Sequence, residues 1–221
     1  MDNRDLISGK FFNQADITLV IGPSIDDDEF DVFNSVDLLA RLTGAPDGSC
    51  ITVSRGTGGA DTFNLQVKNA IFKHPSEYFI INAGGELSFE LAIDSIYVRE
   101  EFQAQGIGIR SVMMSIRQAK ELGFHSVTLF AAGSATPRGM FFGYHVWPTL
   151  GFDAPLPSQI LGKLPQELQG CVLLSDLMAT DEGPDWWYDH GIGLELSFEL
   201  EDNSVSWKLM GEYAEARRIS I

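Results

Sequence analysis

Two closely spaced glycines, placed between a strand-like run and a helix-like run, constrain this chain more than any other feature. The strand-like residues IYV (96–98) are followed by QAQGIG (103–108) and then by IRSVMMSIRQAKELGF (109–124). In that last stretch apolar side chains recur at helical spacing, at Ile109, Val112, Met113, Ile116 and Ala119. Because Gly123 ends the stretch and the apolar run HSVTLFAAG (125–133) follows, the sequence predicts a βαβ unit with neighbouring parallel strands.

Gly106 and Gly108 can serve a sharp turn or a backbone cradle for an anion. A turn needs one glycine, whereas two at a helix N-terminus let an anion approach the backbone N–H groups and the positive end of the helix dipole. The dinucleotide fingerprint needs a third glycine where Ser111 stands, and the Walker loop needs Gly-Lys-Ser/Thr. Neither pattern is present, and GTGG (56–59), which also lacks the lysine, predicts a plain turn.

The pattern Gln/Arg-x-x-Gly-x-Gly/Ala in QAQGIG resembles the pyrophosphate loop of the GCN5-related N-acetyltransferases (GNAT), which holds acetyl-coenzyme A. IYV ends five residues before Gln103, as the fourth strand of that family does. AKELGFHSVTLFA is similar to the family's passage from helix to fifth strand, and TLGFD (149–153) carries a Leu-Gly-Phe about 45 residues after the loop. The resemblance covers roughly residues 86–153.

The resemblance implies an α/β (α+β) fold in which helices flank a mixed, mostly antiparallel sheet that is splayed where the coenzyme enters. We expect a single enlarged GNAT-like domain over residues 1–221, with a family-like core at about 50–153 and a C-terminal addition at about 154–221. The chain has Ala92 where many members of the family carry a carboxylate, and Trp147 where many carry a tyrosine. The chain therefore resembles a divergent member.

The remaining elements follow from local patterns. Strand patterns cover 17–22, 50–56, 62–67, 77–82, 194–200 and 86–98, the last of which is long enough to need a bulge or a bend. Helix patterns cover 34–44, capped by Asn34 or Ser35, then 139–147, ended by Pro148, and Ser204 to about Arg218, with an inward stripe of Leu209, Tyr213 and Ala216. Loops and turns are predicted at 23–33, 56–61, 83–85 and 181–191.

Backbone N–H groups, rather than side chains, would bind the coenzyme. Its pyrophosphate would bind the N–H groups of the loop, and the resemblance implies that its pantetheine pairs with the strand end, where an N–H can also point at the thioester oxygen. The predicted coenzyme-binding residues are Ile96, Tyr97, Val98, Gln103, Ala104, Gln105, Gly106, Ile107, Gly108 and Ile109. Arg99 and Arg110 can reach phosphates but are equally ordinary surface residues.

A protonated amine must lose a proton before it attacks a thioester, which requires a general base. Many members of the family carry a carboxylate at the position of Ala92. Glu90 and Asp94 flank Ala92 by two residues on each side, so strand alternation places their side chains on the same face. Either can act as the base, and we favour Asp94 as the residue nearer the thioester. Solvated or paired structural carboxylates are the alternative.

The leaving thiolate is often protonated in this family by a tyrosine, at the position of Trp147 here. Tyr144 lies three residues earlier, about one helical turn, and is the candidate acid. A tyrosine of the core or the surface is the competing interpretation. In DWWYDHG (185–191), Trp186, Trp187 and Tyr188 can line a pocket for a cationic amine, fill the core under a loop, or form a contact in a homodimer.

Composition limits the partners. Apolar residues make up 44% of the 221 residues, enough for a large core, and the formal net charge of −16 disfavours nucleic acid and an anionic membrane surface. Two cysteines suit no disulfide framework or metal spacing, and scattered histidines suggest no metal. The N-terminus lacks the pattern of a signal peptide and no apolar run is long enough for a membrane helix, which predicts a cytoplasmic protein.

These observations predict an acyl-CoA-dependent N-acyltransferase that moves an acetyl group from acetyl-CoA to a primary amine in a ternary complex. The acceptor would be a small cationic amine or a peptide amine, and no metal is expected. The alternative is a non-catalytic module that binds acyl-CoA or a partner protein, which Ala92 and Trp147 favour.

Overall fold

A computed structural model describes residues 5–23, 25, 35–56, 62–82, 89–136 and 141–220. The chain divides into two compact units, one of Met1–Val127 with Arg217–Ile221 and the other of Thr128–Ala216. The acidic loop predicted at 23–33 and the turns predicted at 56–61 and 83–85 lie almost entirely outside the described residues.

The first unit contains a mixed sheet, as predicted. Its strands are β1 (Thr18–Ile21), β2 (Cys50–Arg55), β3 (Thr62–Lys68), β4 (Ser76–Asn82) and β5 (Phe89–Ser95). β1 pairs with β2 in parallel, and the pairs β2–β3, β3–β4 and β4–β5 are antiparallel. β6 (Ser126–Ser134) begins at the end of the first unit, and β7 (Ile192–Glu199) lies in the second. The described residues therefore form a mixed α/β structure.

Alternation along the strands produces one buried face in the first unit. Alternate residues in the middle of β3, β4 and β5 are buried, among them Leu65, Ile80 and Leu91, each at most 1% exposed. Tyr78 shares this face; burial raises the pKa of its phenol, which is hydrogen-bonded with Ser115.

In the described ranges of the first unit the α-helices are α1 (Leu6–Phe11), α2 (Val36–Leu42) and α3 (Ile107–Glu121). α2 is capped by the hydroxyl of Ser35, as predicted, because it accepts the N–H of Leu38 at 3.3 Å. α3 begins at Ile107 rather than at 109, and Gly123 (φ +76°) follows its end. Ile109 is only half-buried, whereas Ile107 is 1% exposed and is the first residue on the buried face of α3.

The predicted bulge in the long strand pattern is confirmed. Tyr78 lies opposite Ile93 and Glu77 lies opposite Ser95, so one residue of β4 is matched by two of β5 and Asp94 has no opposite residue. β5 ends at Ser95, and IYV continues as extended backbone that meets Phe72 through an isolated bridge at Val98.

The second unit contains the rest of β6, β7 and a series of helices. These are α4 (Gly143–Thr149), α5 (Ser158–Leu161), α6 (Leu174–Met178), α7 (Gly183–His190) and α8 (Val205–Arg217). The loop predicted at 181–191 is wrong, because Pro184 near the helix start and the buried Trp187 make this stretch helical. In the described ranges, the apolar helical stretches fall short of what a membrane crossing requires.

Two further predictions in the second unit need correction. Pro148 does not end the predicted helix but lies inside α4. The inward stripe of α8 is also wrong, since Leu209 and Tyr213 are half-buried and Ala216 is exposed. Its buried residues are Ser206, Met210 and Ala214. The helix is turned this way because the backbone of Ser206 packs against Gly151, where an added Cβ would lie 2.4 Å from the Ser206 oxygen.

Candidate functional site

The segment between β5 and α3 forms a loop with two left-handed residues. After a 3-10 turn at Glu100–Phe102, Ala104 has φ +60° and Gly106 has φ +71°. Gly106 is the N-cap of α3, and a Cβ there would lie 2.7 Å from Nη1 of Arg110. Glycine at 106 is thus required by both its backbone angle and its surroundings.

Most N–H groups of residues 103–109 are unengaged. Among these residues only Gln103 donates its N–H to an acceptor in the described part of the chain, the carbonyl of Glu100 at 3.2 Å. The six N–H groups from Ala104 to Ile109 donate to no acceptor in the described part of the chain. Because they precede the first intrahelical bond, Arg110 N–H to the Gly106 oxygen, they combine orphan donors with the positive end of the helix dipole. Such a group of donors can bind an anion.

Arg110 fixes the direction of these donors. Its Nη1 donates to the carbonyl oxygens of Gln105 and Gly106, both at 3.1 Å. In a trans peptide the C=O and the next N–H point in opposite directions. The N–H groups of Gly106 and Ile107 therefore point away from the guanidinium. The surface position predicted as one alternative for Arg110 is wrong, because the residue is 6% exposed.

Asp5 pairs with the same guanidinium. Oδ1 of Asp5 accepts Nη2 at 2.8 Å and Oδ2 accepts Nε at 3.0 Å, with the two side chains 4% and 7% exposed. The carboxylate also caps α1 through the N–H of Ile7 and Ser8 and accepts the N–H of Ser220. Although desolvation opposes them, the hydrogen bonds from Arg110, Ser8 and Ser220 hold the pKa of Asp5 well below its usual range.

The fold requires glycine at 106 but not at 108. An added Cβ would meet Cγ2 of Val98 at 3.5 Å and Cγ2 of Ile96 at 3.7 Å, which are ordinary contacts. The fold therefore accommodates a larger residue at 108. The same contacts show that the loop and the end of the strand lie side by side.

The strand end beyond β5 presents donors on one edge. On the other edge, Tyr97 accepts the N–H of Lys73 at 2.8 Å, and the N–H of Arg99 donates to Ile71 at 2.9 Å. The N–H groups of Ile96 and Val98 have no acceptor in the described ranges. The carbonyl of Val98 accepts Nε2 of Gln103 at 3.0 Å, which ties the strand end to the loop.

The two candidate bases lie on β5. Glu90 and Ala92 are half-buried and Asp94 is exposed, while Leu91 and Ile93 between them are buried. These burial classes agree with the predicted shared face. Asp94 lies at the bulge, and its carboxylate forms no hydrogen bond or ion pair with any described residue.

Tyr144 and the aromatic cluster belong to the second unit. Tyr144 is 1% exposed and its hydroxyl donates to the carbonyl of Tyr188 at 2.9 Å. Its own carbonyl accepts Nε1 of Trp187 at 2.7 Å, and Trp187 is fully buried. For Trp187 the core interpretation is thus correct. Trp186 is half-buried and stacks on His190, with ring centroids 4.5 Å apart. The role of Tyr144 as an acid stays a prediction.

The Leu-Gly-Phe motif serves packing in the second unit. Leu150 and Phe152 are at most 1% exposed, and Phe152 contacts Phe198 edge to face with ring centroids 5.5 Å apart. Gly151 (φ +103°) allows the chain to turn against α8.

Sequence reasoning missed the pairing of Arg110 with Asp5. The available signal was the position of Arg110, three residues after Ile107 and therefore on the inner face of the helix. Its partner could not be identified, because Asp5 is 105 residues away in the chain.

Among the described residues, no three His, Cys, Asp or Glu side chains are grouped so that they could hold a metal ion. A scan of protein-family models, a search of curated proteins and a search of solved structures found no match to this chain.

Proposed function

We propose that the chain is an N-acetyltransferase of GNAT type that binds acetyl-CoA at the 103–109 loop and transfers its acetyl group to a primary amine. The supporting observation is the run of six N–H groups from Ala104 to Ile109 that have no acceptor among the described residues. Every α-helix leaves about four such donors at its start, and this run adds those of Ala104 and Gln105 beside the positive end of the helix dipole, which suits an anion. A coenzyme diphosphate is such an anion.

The N–H groups of Ile96 and Val98, which have no acceptor among the described residues, suit the pantetheine part of the coenzyme. The amides of pantetheine can pair with this edge as an extra strand would, because the opposite edge is already paired with residues 71–73. A Cβ fits the fold at 108, but a residue larger than alanine would narrow the approach of a diphosphate to the backbone. The fold thus tolerates a larger side chain at 108, whereas a diphosphate bound to the backbone would not. This difference and the resemblance in sequence both support the binding of acetyl-CoA at the loop.

Transfer would proceed by direct attack. The amine nitrogen, once deprotonated, attacks the thioester carbonyl carbon; the new C–N bond forms, the C–S bond breaks, and the thiolate accepts a proton. Asp94 is the proposed base because its carboxylate is exposed, forms no bond with any described residue and lies at the bulge near the end of β5. An N–H at the strand end would stabilise the negative charge that develops on the carbonyl oxygen. The partner amine is cationic before this step, which suits the net charge of −16.

Calorimetric titration with acetyl-CoA tests the coenzyme site. Gly108→Glu is the informative variant, since its Cβ fits and an acidic residue near a helix N-terminus favours the helix, while its charge opposes a diphosphate. Gly211→Glu is the control, because an added Cβ at Gly211 in α8 meets no atom within 4 Å. The proposal expects binding by the native chain and the control, and loss of binding in Gly108→Glu. Absence of binding by the native chain contradicts it.

A non-catalytic module that binds acyl-CoA or a partner protein is the second candidate. It is favoured by the hydroxyl of Tyr144, which is buried and already donated to Tyr188, and by Ala92 in place of a carboxylate. Thiol release from acetyl-CoA in a panel of primary amines separates the two candidates. Binding without amine-dependent thiol release supports the module, and release that depends on Asp94 supports the transferase.

A further inference from the structure

The short helix α1 contacts the residues on both sides of the 103–109 loop. At the start of α1, the carboxylate of Asp5 binds the guanidinium of Arg110, the first residue after the loop. At its end, Phe11 packs edge to face against Phe102, the last residue before the loop, with ring centroids 6.3 Å apart. The loop is therefore held at its beginning and at its end by the same helix.

α1 depends on these contacts because it buries little apolar surface. None of its six residues, Leu6–Phe11, is buried. A helix of this length does not persist without tertiary contacts, since its few hydrogen bonds do not offset the loss of conformational freedom. Behind α1 the chain is fixed by Asp47, which donates its N–H to the carbonyl of Phe11 and accepts the N–H of Ala15. Such an element opens locally, here from its Asp5 end, before the whole fold unfolds.

The loop in turn needs support from outside. Ala104 and Gly106 both have left-handed backbone angles, φ +60° and +71°, which cost alanine free energy. Nη1 of Arg110 binds the carbonyls of Gln105 and Gly106, and Asp5 binds the other two nitrogens of the same guanidinium. Release of α1 would leave this nearly buried charge without its carboxylate, which favours rotation of the guanidinium toward solvent and loss of both carbonyl contacts.

We propose that α1 positions the loop for the coenzyme diphosphate, through Arg110 and Phe11 as positioning residues, and that docking of α1 and binding of acetyl-CoA strengthen each other. This inference rests on the proposed function, because it takes the diphosphate as the ligand of the loop. With α1 docked, the N–H groups of the loop are already ordered. With α1 released, the coenzyme must order them as it binds, which lowers its affinity. By thermodynamic linkage, bound coenzyme favours docked α1 to the same extent.

Two variants release α1 without changing the loop itself. Phe11→Ala removes the aromatic contact, and Asp5→Asn removes the charge opposite the guanidinium. Leu6→Ala is the control for the first variant, because Leu6 is an exposed residue of the same helix. Asp16→Asn is the control for the second, because Asp16 is exposed and forms no bond with any described residue. Its backbone angle, φ +55°, is one that asparagine also adopts.

The first measurement uses the full chain without coenzyme. Amide NMR relaxation gives the order parameters of the N–H groups of Gly106, Ile107 and Gly108. The proposal expects lower order at these residues in Phe11→Ala and Asp5→Asn, and native order in the two controls. Unchanged order parameters in Phe11→Ala overturn the positioning role even if Asp5→Asn does not fold.

The second measurement is calorimetric titration with acetyl-CoA, at a temperature where each variant is fully folded by circular dichroism. Both Phe11→Ala and Asp5→Asn should bind the coenzyme about tenfold more weakly than the native chain, and both controls should bind it with native affinity. Because only folded protein is titrated, a loss of stability alone does not produce this result. Native affinity in Phe11→Ala overturns the proposed coupling.

The third measurement follows the coupling in the opposite direction. In α1 the N–H of Gly9 donates to the carbonyl of Asp5, and that of Phe12 donates to the carbonyl of Ser8, so hydrogen exchange at both amides reports release of the helix. Saturating acetyl-CoA should slow their exchange by about the same factor of ten, because linkage is reciprocal. In Gly108→Glu, the control that should not bind the coenzyme, added acetyl-CoA should leave both rates unchanged.

The outcomes separate this proposal from the proposed function. Binding of acetyl-CoA by the native chain with unchanged exchange at Gly9 and Phe12 overturns the coupling and leaves the proposed function standing. Absence of acetyl-CoA binding overturns the proposed function and the coupling together. The order parameters measured without coenzyme decide in either case whether α1 positions the loop.

Discussion

Asp5 and Arg110 form a bidentate ion pair, with N–O distances of 2.8 and 3.0 Å, directly beneath the loop that joins β5 to α3. The pair connects α1 to the carbonyls of Gln105 and Gly106 through a single guanidinium. Since those carbonyls set the direction of the following N–H groups, the ion pair determines what the loop presents to solvent. The N-terminal helix is therefore part of the candidate site's support.

Asp5→Asn is expected to destabilise the protein. Asparagine keeps the cap of α1 but leaves the Arg110 charge nearly buried without a counter-ion, which costs about 3–5 kcal/mol. Chemical denaturation at neutral pH measures this difference in the free energy of unfolding. A loss below about 0.5 kcal/mol would show that the pair contributes no more than a surface ion pair.

The same pair predicts a pH dependence. The pKa of Asp5 is lower in the folded than in the unfolded state, where it is about 3.9, so its stabilising contribution is fully present above that value and is lost as the pH falls. The difference in unfolding free energy between the native chain and Asp5→Asn should be constant from about pH 5 upward and should narrow below about pH 4. A difference that stays constant at acid pH would contradict this account.

Gly106→Ala and Gly108→Ala should have opposite effects. Alanine at 106 must adopt φ +71° and approach Arg110, which costs at least about 1–2 kcal/mol. Alanine at 108 fits and should leave stability unchanged or raise it by up to about 1 kcal/mol. Thermal unfolding measures both. Gly108→Leu should nevertheless weaken the binding of acetyl-CoA about tenfold, because a side chain larger than alanine keeps the diphosphate from the backbone, while Gly211→Leu, the helical control, leaves the affinity unchanged. Full affinity in Gly108→Leu would imply that residue 108 does not contact the coenzyme.

Pro148 and Trp187 are expected to be coupled energetically. A residue other than proline at 148 would donate its N–H to the carbonyl of Tyr144, and in its absence the indole of Trp187 makes that bond at 2.7 Å. Trp187→Phe should therefore cost about 1 kcal/mol less in a Pro148→Ala background than in the native one. A double-mutant cycle by denaturant unfolding measures the coupling. Strictly additive effects would show that the carbonyl does not depend on the indole.

Asp94→Asn should lower the rate of transfer without affecting coenzyme binding. Because Asp94 is exposed and makes no bond with the described residues, the variant should fold normally. Loss of a general base lowers kcat/KM for the amine by about 100-fold or more, while the affinity for acetyl-CoA stays the same. Glu195→Gln, at an exposed strand residue, is the control. If Glu90→Gln shows the loss and Asp94→Asn does not, the base is Glu90.

Sequence patterns predicted those parts of the fold that local periodicity determines. The strands, the bulge before Ser95, and the helix after Gly106 follow from alternation, length and glycine positions. Residues whose structure depends on distant partners were not predictable. Pro148 lies inside a helix in which Trp187, distant in sequence, supplies the donor that proline lacks, and the helix at 183–190 contains the same buried tryptophan.

In the candidate site, too, local patterns were predictable and contacts between distant residues were not. The loop and its two glycines were evident from spacing, because orphan N–H groups at a helix start require no partner to be recognised. The contrast between Gly106 and Gly108 needed the positions of Arg110, Ile96 and Val98. The contribution of Asp5 to the loop could not be predicted, because Asp5 and Arg110 are 105 residues apart in the sequence.

The most direct test of the central claim is an amide-resolved NMR titration with coenzyme A. Binding of its diphosphate by the loop predicts the largest shifts at the N–H groups of Gly106, Ile107 and Gly108, with smaller shifts at Ile96 and Val98. Unchanged resonances at Gly106 to Gly108 at saturating coenzyme, or shifts confined to other residues, would contradict the account.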